Sequence, residues 1–376
     1  MDNIAIVHEF HEIAGAENSL LYLARNIDRN RFNLIFILPR QGQFCEELKK
    51  IGTEVNFCEF PRIRGMAGVG RATRFLSDFV KKKNIGLIHS NSIRTHIYST
   101  VAARRNRIPV IWHQRNLLVN ELIDPDSLFS FLPDKIICNS AAVARRFAFF
   151  GFLPRRVVVI YNGVDTARFR PDVGGENVRK EYRIPSSQTV IGIASRFHEN
   201  KNHETFFKAA KILCRRYQDA GSLKFLVVGA SVFEEDRQRE VYLRDFVHRQ
   251  GIQDKIVFTG FRKDMPEVYA AMDILVISSF REACGRVIIE AMSSGKPVIG
   301  SRTGGNRELI IHGKTGIVFP PSSPKALAEA IAYLVERRDT ARAMGEAGRR
   351  RVEQYFDIRI NVKRIEGVYA ELLGSI

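Results

Sequence analysis

The sequence predicts an α/β chain made of two doubly wound domains, and three observations carry that prediction. Short apolar runs rich in β-branched residues recur along the chain, each followed by a segment of helical character. Strands that are apolar on both faces belong to parallel sheets covered on both sides by helices. Thirteen such runs are too many for one twisted sheet, and 376 residues are too many for one ordinary core. A polar stretch containing glycine and proline, RFRPDVGGENVRKEYRIPSSQ, interrupts the alternation near residues 168–188 and marks the boundary.

In chain order, the strand-like runs of the first half are IAIVHEF, FNLIFIL, EVNFCEF, IGLIHSN, PVIWHQ, KIICNS and VVVIYNG. Those of the second half are TVIGIAS, KFLVVGA, KIVFTG, ILVISS, PVIGS and GIVF. The expected division is a domain over 1–170, a linker over 171–188, a second domain over 189–355 and a closing segment over 356–376. Ligands of open α/β sheets bind beyond the carboxyl ends of the strands. With two such sheets, the expected site is a cleft between the domains, lined by strand-end residues.

Composition narrows the class. The 45 % hydrophobic and 26 % charged fractions are those of a soluble globular protein. No apolar run approaches the roughly 18–20 residues of a membrane span. The opening MDNIAIVHEF lacks a basic leader and reads as a first strand. Five scattered cysteines without a C-x-x-C pair suit reduced thiols and a cytoplasmic setting. The net charge of +17 is unevenly placed: Arg62 to Arg115 holds twelve Lys and Arg against one acid, Asp78. Within that span, RIRGMAGVGRATRFLSDFVKKKN places Phe75, Leu76, Phe79 and Val80 on one side of a helix and cations on the other. Such a face suits an anionic lipid surface, a phosphorylated glycan or nucleic acid, or a solvated exterior.

Several strand ends carry groups suited to a ligand. The turn Ala14-Gly15-Ala16 before a helix lets backbone N–H groups approach a phosphate, or is an ordinary tight turn. Arg196 and Lys201 follow TVIGIAS and precede a helix, as a diphosphate clamp would, or are surface charge. In SSFREACGRVIIEAMSSGKPVIGSRTGGNRE, Glu282 falls in a loop and Glu290 about one turn inside a helix that begins near Arg286. Both belong to one wall, whereas an acid/base pair needs opposed sides of the scissile bond. Carboxylates accept strongly from hydroxyls, so anchoring a sugar and a ribose fits them better, with a helix-dipole role as the bland alternative.

That same stretch resembles the donor-binding signature of the family 4 retaining glycosyltransferases, also called glycosyl transferases group 1. The pattern S-x-x-E, E-A-M, G-x-P-V-I and G-G-x-x-E is filled by Ser279, Glu282, Glu290-Ala291-Met292, Gly295, Pro297-Val298-Ile299, Gly304-Gly305 and Glu308. The likeness extends through VIYNGVDTARFRP, Arg196 with Lys201, and KIVFTGFRKDMPEVYAAMDILVISS, and more faintly along nearly the whole chain. It implies the GT-B fold, two Rossmann-like domains facing each other across a cleft, with the last helix, NVKRIEGVYAELL, crossing back onto the first. It also implies transfer from a nucleoside-diphosphate sugar, UDP- or GDP-linked, with retention and without a protein nucleophile, cofactor or metal.

Carried onto this sequence, the resemblance gives Arg196 and Lys201 the donor diphosphate and the charge that develops on the leaving group. Glu282 holds donor-sugar hydroxyls, beside the amides of Ala283, Cys284 and Gly285, and Glu290 takes the ribose. The backbone at Phe261-Arg262 meets the base, Gly15 lies against the phosphates, and His113 approaches the sugar. His113 also reads as a core histidine beside Trp112, and His89 reads as structural. Three departures bear on detail: Ala14 where a second glycine is usual, Cys284 at a position more often aromatic or proline, and Ser231 in place of a glycine.

Rival readings are weaker. HEFHE lacks the H-E-x-x-H spacing of a metal site, and Asp124-Pro125-Asp126 imitates a metal-binding D-x-D in a loop setting. A sugar-nucleotide 2-epimerase shares the architecture but needs no acceptor. A nucleic-acid binder lacks the aromatic-basic or zinc-finger patterns, and a dead scaffold has no reason to retain the clamp. The expected protein is a retaining transferase acting on a lipid-linked, lipopolysaccharide-type or other glycan acceptor. It is expected on the cytoplasmic face of an anionic membrane, held through its basic first domain.

Overall fold

The computed structural model describes residues 1–61, 66–117, 124–148, 153–217, 223–229, 231 and 234–374. Arg62 and Arg64 of the basic segment and Ala230 of the FLVVGAS turn lie outside the described residues. The chain divides into two compact units, one of Met1–Gly163 with Ile358–Ile376, the other of Val164–Asp357.

In the first unit the apolar runs form β1 (Asp2–Val7), β2 (Phe32–Leu38), β3 (Glu54–Phe57), β4 (Ile85–Ser90), β5 (Val110–Gln114), β6 (Lys135–Cys138) and β7 (Val157–Val159). They make one parallel sheet in the order β3-β2-β1-β4-β5-β6-β7. Both faces of β1 are covered, so Ile4, Ala5, Ile6 and Val7 are all buried, which is why the strand is apolar without alternation. The helix Ile358–Leu373 lays Val362, Ile365 and Tyr369 into the core formed by Ile4, Leu20, Phe36, Leu87 and Ile137.

The second unit repeats the plan with β8 (Thr189–Ala194), β9 (Leu223–Val228), β10 (Ile256–Gly260), β11 (Ile274–Ile277), β12 (Val298–Ser301) and β13 (Gly316–Phe319). Its order is β10-β9-β8-β11-β12-β13, again all parallel. The core gathers Ile191, Phe206, Phe207, Phe225, Val276, Leu327 and Ile331.

The polar stretch expected to link the domains belongs inside the second unit. A Cβ at Gly175 would come within 2.3 Å of the Ala271 amide nitrogen, so the chain enters the helix Glu176–Glu181 in direct backbone contact with that segment. Arg179 then reaches across, donating to Ala271 O (3.0 Å) and Gln188 O (3.0 Å) and pairing with Asp273 (2.9 Å). One guanidinium with fixed, planar donors can hold several segments at once, so a polar composition here signals a clamp, not a tether.

The basic helix forms over Met66–Lys82. Ala72, Thr73, Leu76, Phe79 and Val80 are buried, and Arg71, Arg74, Asp78, Lys81 and Lys82 are exposed. Phe75 departs from the expected apolar side: it is exposed among the cations and stacks on Phe79 at 5.8 Å. The 100° advance per residue places position 75 on the 71/74/78/82 stripe. The described cysteines are free thiols, and burial pushes those of Cys58 and Cys138 up to about 12.

Arg349 fastens the start of the second unit to its helices. Its Nη1 donates to Thr166 O (3.0 Å), Phe169 O (2.6 Å) and Ser293 O (2.8 Å). Arg349→Met leaves these carbonyls without their charged donor and is expected to cost about 3 kcal/mol. A lowered urea midpoint at an unchanged native circular dichroism spectrum is the expected result, and an unshifted midpoint contradicts the assignment.

Candidate functional site

A doubly wound sheet opens where the strand order reverses, because the crossovers on either side leave in opposite directions. In the second unit that point lies between β8 and β11, which pair directly through Ile191–Ile274 and Ile193–Val276. The loops that follow them, 195–202 and 278–285, therefore rise side by side.

Polar contacts sew the two loops together. Ser278 Oγ meets Lys201 O and Asn202 O, both at 2.9 Å. Asn200 accepts from the Arg281 amide (3.1 Å) and donates to Arg281 O (2.6 Å), while the Phe280 amide donates to Asn200 O (2.8 Å). Asn202 takes the left-handed conformation, φ 49°, that ends the turn and begins the helix His203–Arg216. These contacts aim Lys201 at Glu282: Nζ donates to Oε2 at 2.7 Å, and Ser279 Oγ donates to the same oxygen at 3.2 Å. Residues 81 positions apart, each singled out in the sequence, thus form one ion pair.

Arg196 leaves the end of β8 in the same loop, about one-third exposed, with its guanidinium 3.9 Å from the buried Asp236. Glu290 projects from the helix Arg286–Ser293, which begins where the sequence places it, with Gly285 as its N-cap. One Glu290 oxygen accepts from Tyr269 OH (2.9 Å) and the other from Arg286 (3.3 Å). Ala283 and the buried Cys284 line the loop between the two glutamates. That loop is held from behind: the Gly305 amide donates to Glu282 O (2.8 Å), and a Cβ at Gly305 would lie 2.1 Å from Ala283 O. The second glycine of the G-G-x-x-E motif is therefore a packing requirement of the glutamate loop.

Phe261, just after β10, is 67 % exposed. The Arg262 side chain is committed to Asp264 (2.6 Å) and Glu181 (2.5 Å). Asp126 sits on a helix turn, Pro125–Leu128, and Asp124 stands just before it. Asp124 caps that turn and pairs with Arg146 at 2.8 Å. Among the described residues no group of three or more His, Cys, Asp or Glu side chains is arranged to hold a metal ion.

The first unit has its own reversal, between β1 and β4. Past β1, His8 Nε2 meets Glu17 Oε1 at 2.6 Å, and Glu17 Oε2 accepts the Ala14 amide at 2.9 Å. Burial opposes the Glu17 charge, but the hydrogen bond and charge of His8 outweigh it and hold the carboxyl below its ordinary value. Gly15 opens the helix Gly15–Asn26, and a side chain there would meet only open space. Beyond β4, Arg94 pairs with Glu9 at 3.2 Å. Beyond β5, Arg115 donates to Asn91 Oδ1 and Asn162 Oδ1, each at 3.0 Å.

His113, on β5, is buried in this polar floor. Its Nδ1 lies 3.0 Å from His89 Nε2 and 3.4 Å from Arg115 Nη2, and its Nε2 has no partner among the described residues. His89, read from sequence as structural, connects His113 to Tyr369 OH, 2.6 Å from its Nδ1. The sequence reading missed Tyr269, Asn200, Arg115 and Tyr369. The spacing of Arg286 to Glu290, four residues on one helix, was the available signal for that pair; nothing local marks the others.

Burial pushes His89 and His203 down to about 3, and it holds His96 and His113 well below the usual 6.5. The unfolded chain then binds more protons below about pH 6.5, so stability falls as pH falls toward 3, by up to about 1.4 kcal/mol per pH unit for each such group. Asp126, raised to about 6 chiefly by burial, and Glu9, also raised by burial, oppose this. The melting temperature is expected to drop between pH 7 and pH 5; a flat or rising profile contradicts the neutral-histidine floor.

Comparison with known proteins agrees with this layout. Residues 175–351 match the family described as Glycosyl transferases group 1, and residues 13–168 the one described as Glycosyltransferase Family 4. A GDP-mannose-dependent alpha-(1-6)-phosphatidylinositol monomannoside mannosyltransferase of Mycobacterium tuberculosis is 34 % identical over 197 residues, 50 % of this chain and 49 % of that protein. The chain thus spans about half the length of the first curated relatives it matches. A lipopolysaccharide core biosynthesis mannosyltransferase, LpsB of Rhizobium meliloti, is 26 % identical over 285 residues, 70 % of this chain and 80 % of that protein. The structure of HepE from Anabaena in complex with UDP and glucose superposes with a TM-score of 0.85 at 24 % identity, covering 98 % of this chain and 99 % of that one. These similarities show a shared fold, the GT-B pairing of two Rossmann-like units.

Proposed function

The chain belongs to the family 4 glycosyltransferases, and from that membership we propose that it moves a sugar from a nucleoside-diphosphate sugar to a hydroxyl of a glycan or glycolipid acceptor. The observation that carries the reading is the Lys201–Glu282 pair at the β8/β11 reversal, beside the start of the helix Arg286–Ser293. A cation and a carboxylate in one mount suit a ligand that is a diphosphate at one end and a polyol at the other.

In this reading Arg196 and Lys201 bind the diphosphate and stabilise the charge that grows on the departing nucleotide, the main electrostatic task of the reaction. Lys201 and Ser279 hold Glu282 Oε2, which directs Oε1 toward the donor-sugar hydroxyls. Glu290, oriented by Tyr269 and Arg286, accepts from the ribose. The amides of Ala283, Cys284 and Gly285 and the exposed Phe261 complete the nucleotide-sugar contacts, and Gly15 and His113 of the first unit approach the phosphates and the sugar. The acceptor hydroxyl attacks from the face the nucleotide leaves, so configuration is retained. Exclusion of water protects the sugar from hydrolysis.

UDP- and GDP-sugars are the donors of choice for a first test, given the UDP of HepE and the GDP-mannose of the mycobacterial relative. Mass spectrometry of the purified protein with each donor and a lipid and lipopolysaccharide extract is expected to show one nucleotide released and one sugar mass gained. A donor converted without acceptor, its nucleotide still attached, contradicts the transferase reading and indicates an epimerase. With the active donor, Glu282→Ala is expected to lower kcat on the order of 100-fold and Glu290→Ala to act mainly on KM. Equal profiles contradict that division of labour.

The acceptor side rests on the helix Met66–Lys82, whose exposed stripe sets Phe75 among Arg71, Arg74, Lys81 and Lys82. Cations around an aromatic side chain suit an anionic bilayer surface, and the relatives named above are a phosphatidylinositol monomannoside mannosyltransferase and a lipopolysaccharide core biosynthesis mannosyltransferase. Among the described residues no helix is long and apolar enough to cross a membrane. A peripheral attachment on the cytoplasmic face would bring the site to a lipid-linked acceptor. Flotation with anionic vesicles at low salt, lost in Arg71→Glu/Arg74→Glu, is expected; equal failure with anionic and neutral vesicles contradicts it.

A further inference from the structure

Three buried side chains of the first unit stand in line: Tyr369 OH, His89 and His113, with separations of 2.6 Å and 3.0 Å. The direction of the protons along this line follows from its surroundings. Arg115 Nη2 lies 3.4 Å from His113 Nδ1 and, as a guanidinium, can only donate. His113 Nδ1 is therefore an acceptor, and His89 Nε2 must be the donor to it. A neutral His89 with its proton on Nε2 accepts at Nδ1, which is where Tyr369 OH sits. Each ring is buried and neutral, so each carries one proton. The proton of His113 is left on Nε2, an atom that is buried and has no acceptor among the described residues.

We infer that Tyr369 and His89 are positioning residues that lock His113 in its Nε2–H tautomer, delivering a single oriented donor to an oxygen of the substrate. The inference rests on the reading above that His113 meets the donor sugar, and it adds the device that sets the proton. A ring nitrogen is a donor or an acceptor according to what the other nitrogen does, and a sugar hydroxyl pairs with either. A ring free to exchange tautomers presents the right one only part of the time. The His89 and His113 rings lie edge to edge, 5.2 Å between centroids and 16° from parallel, the near-coplanar arrangement that an in-plane N–H···N bond requires. The lock comes from the last helix of the chain: Tyr369 lies 280 residues beyond His89 and reaches it only because Ile358–Leu373 packs into the first unit. A buried donor without an acceptor is costly, so a ligand oxygen that accepts from His113 Nε2 offsets that cost.

The test is histidine nitrogen NMR on the full-length protein, with Tyr369→Phe as the variant that removes one oxygen and keeps the ring. In the wild type, His89 and His113 are both expected to carry their protons on Nε2. In Tyr369→Phe, His89 is expected to populate both tautomers, and kcat with the active UDP- or GDP-sugar to fall about tenfold, the worth of one buried hydrogen bond, with little change in donor KM. A wild-type proton on His113 Nδ1 overturns the inference without any variant. So does a Tyr369→Phe protein in which His89 and His113 both keep their protons on Nε2 and kcat is unchanged. If the tautomers are as stated and His113 Nε2 does not respond to any nucleotide sugar, the lock stands and the placement of His113 at the sugar falls.

Discussion

A parallel sheet whose strand order reverses leaves two neighbouring strand ends with their onward chains pulled apart, and this molecule gathers polar and charged side chains at that opening in both units. Between β8 and β11 the opening is lined by groups that must come from distant parts of the sequence, since strands adjacent there are not consecutive. The Lys201–Glu282 pair is the direct result. Its geometry depends on the Asn200–Asn202 turn and on Gly305 behind the glutamate loop, so the motif residues on either side act as one mount. Remove the reversal and none of these contacts has a reason to form.

The two openings solve different electrostatic problems. In the second unit, paired charges are left partly exposed, so a ligand can take over one partner without stranding the other in a dry interior. The first unit places His8, His89, His113, Asn91 and Arg115 at or just beyond the ends of β1, β4 and β5. Buried groups in such a layer are tolerated only neutral or paired. The result is a floor of oriented hydrogen-bonding groups without much net field. In the proposed reaction, the one opening would compensate the charge of a leaving group and the other would orient hydrogen bonds.

Most of the fold is legible in the sequence because its strands are buried on both faces. Each of the thirteen apolar runs overlaps one of the strands found, and the helix starting at Arg286 begins where a glycine-containing loop hands over to an apolar periodicity. Strand order is not legible, since nothing in IGLIHSN says that it lies beside IAIVHEF. The linker misreads for a related reason: glycine and polar residues between strands resemble a tether, while Gly175 and Arg179 serve tight packing and a clamp. The site is half legible. Residue types at strand ends and the family signature single out Glu282, Lys201, Arg196, Glu290 and His113. Their partners Tyr269, Asn200, Arg115 and Tyr369 sit in segments whose local pattern is only that of a core, a turn or a helix. His89 reads as structural because its strand is apolar, and its contact with Tyr369 depends on the last helix, which nothing near His89 in the sequence indicates.

The central claim is that the β8/β11 reversal, through Arg196 and Lys201, holds a nucleoside diphosphate. Calorimetric titration of UDP and of GDP into the wild type, Arg196→Ala and Lys201→Met tests it most directly. The account predicts saturable binding of one nucleotide that weakens at least about tenfold in each variant, as loss of a charge-assisted hydrogen bond requires. Equal affinity in all three proteins would place the nucleotide elsewhere and contradict the account.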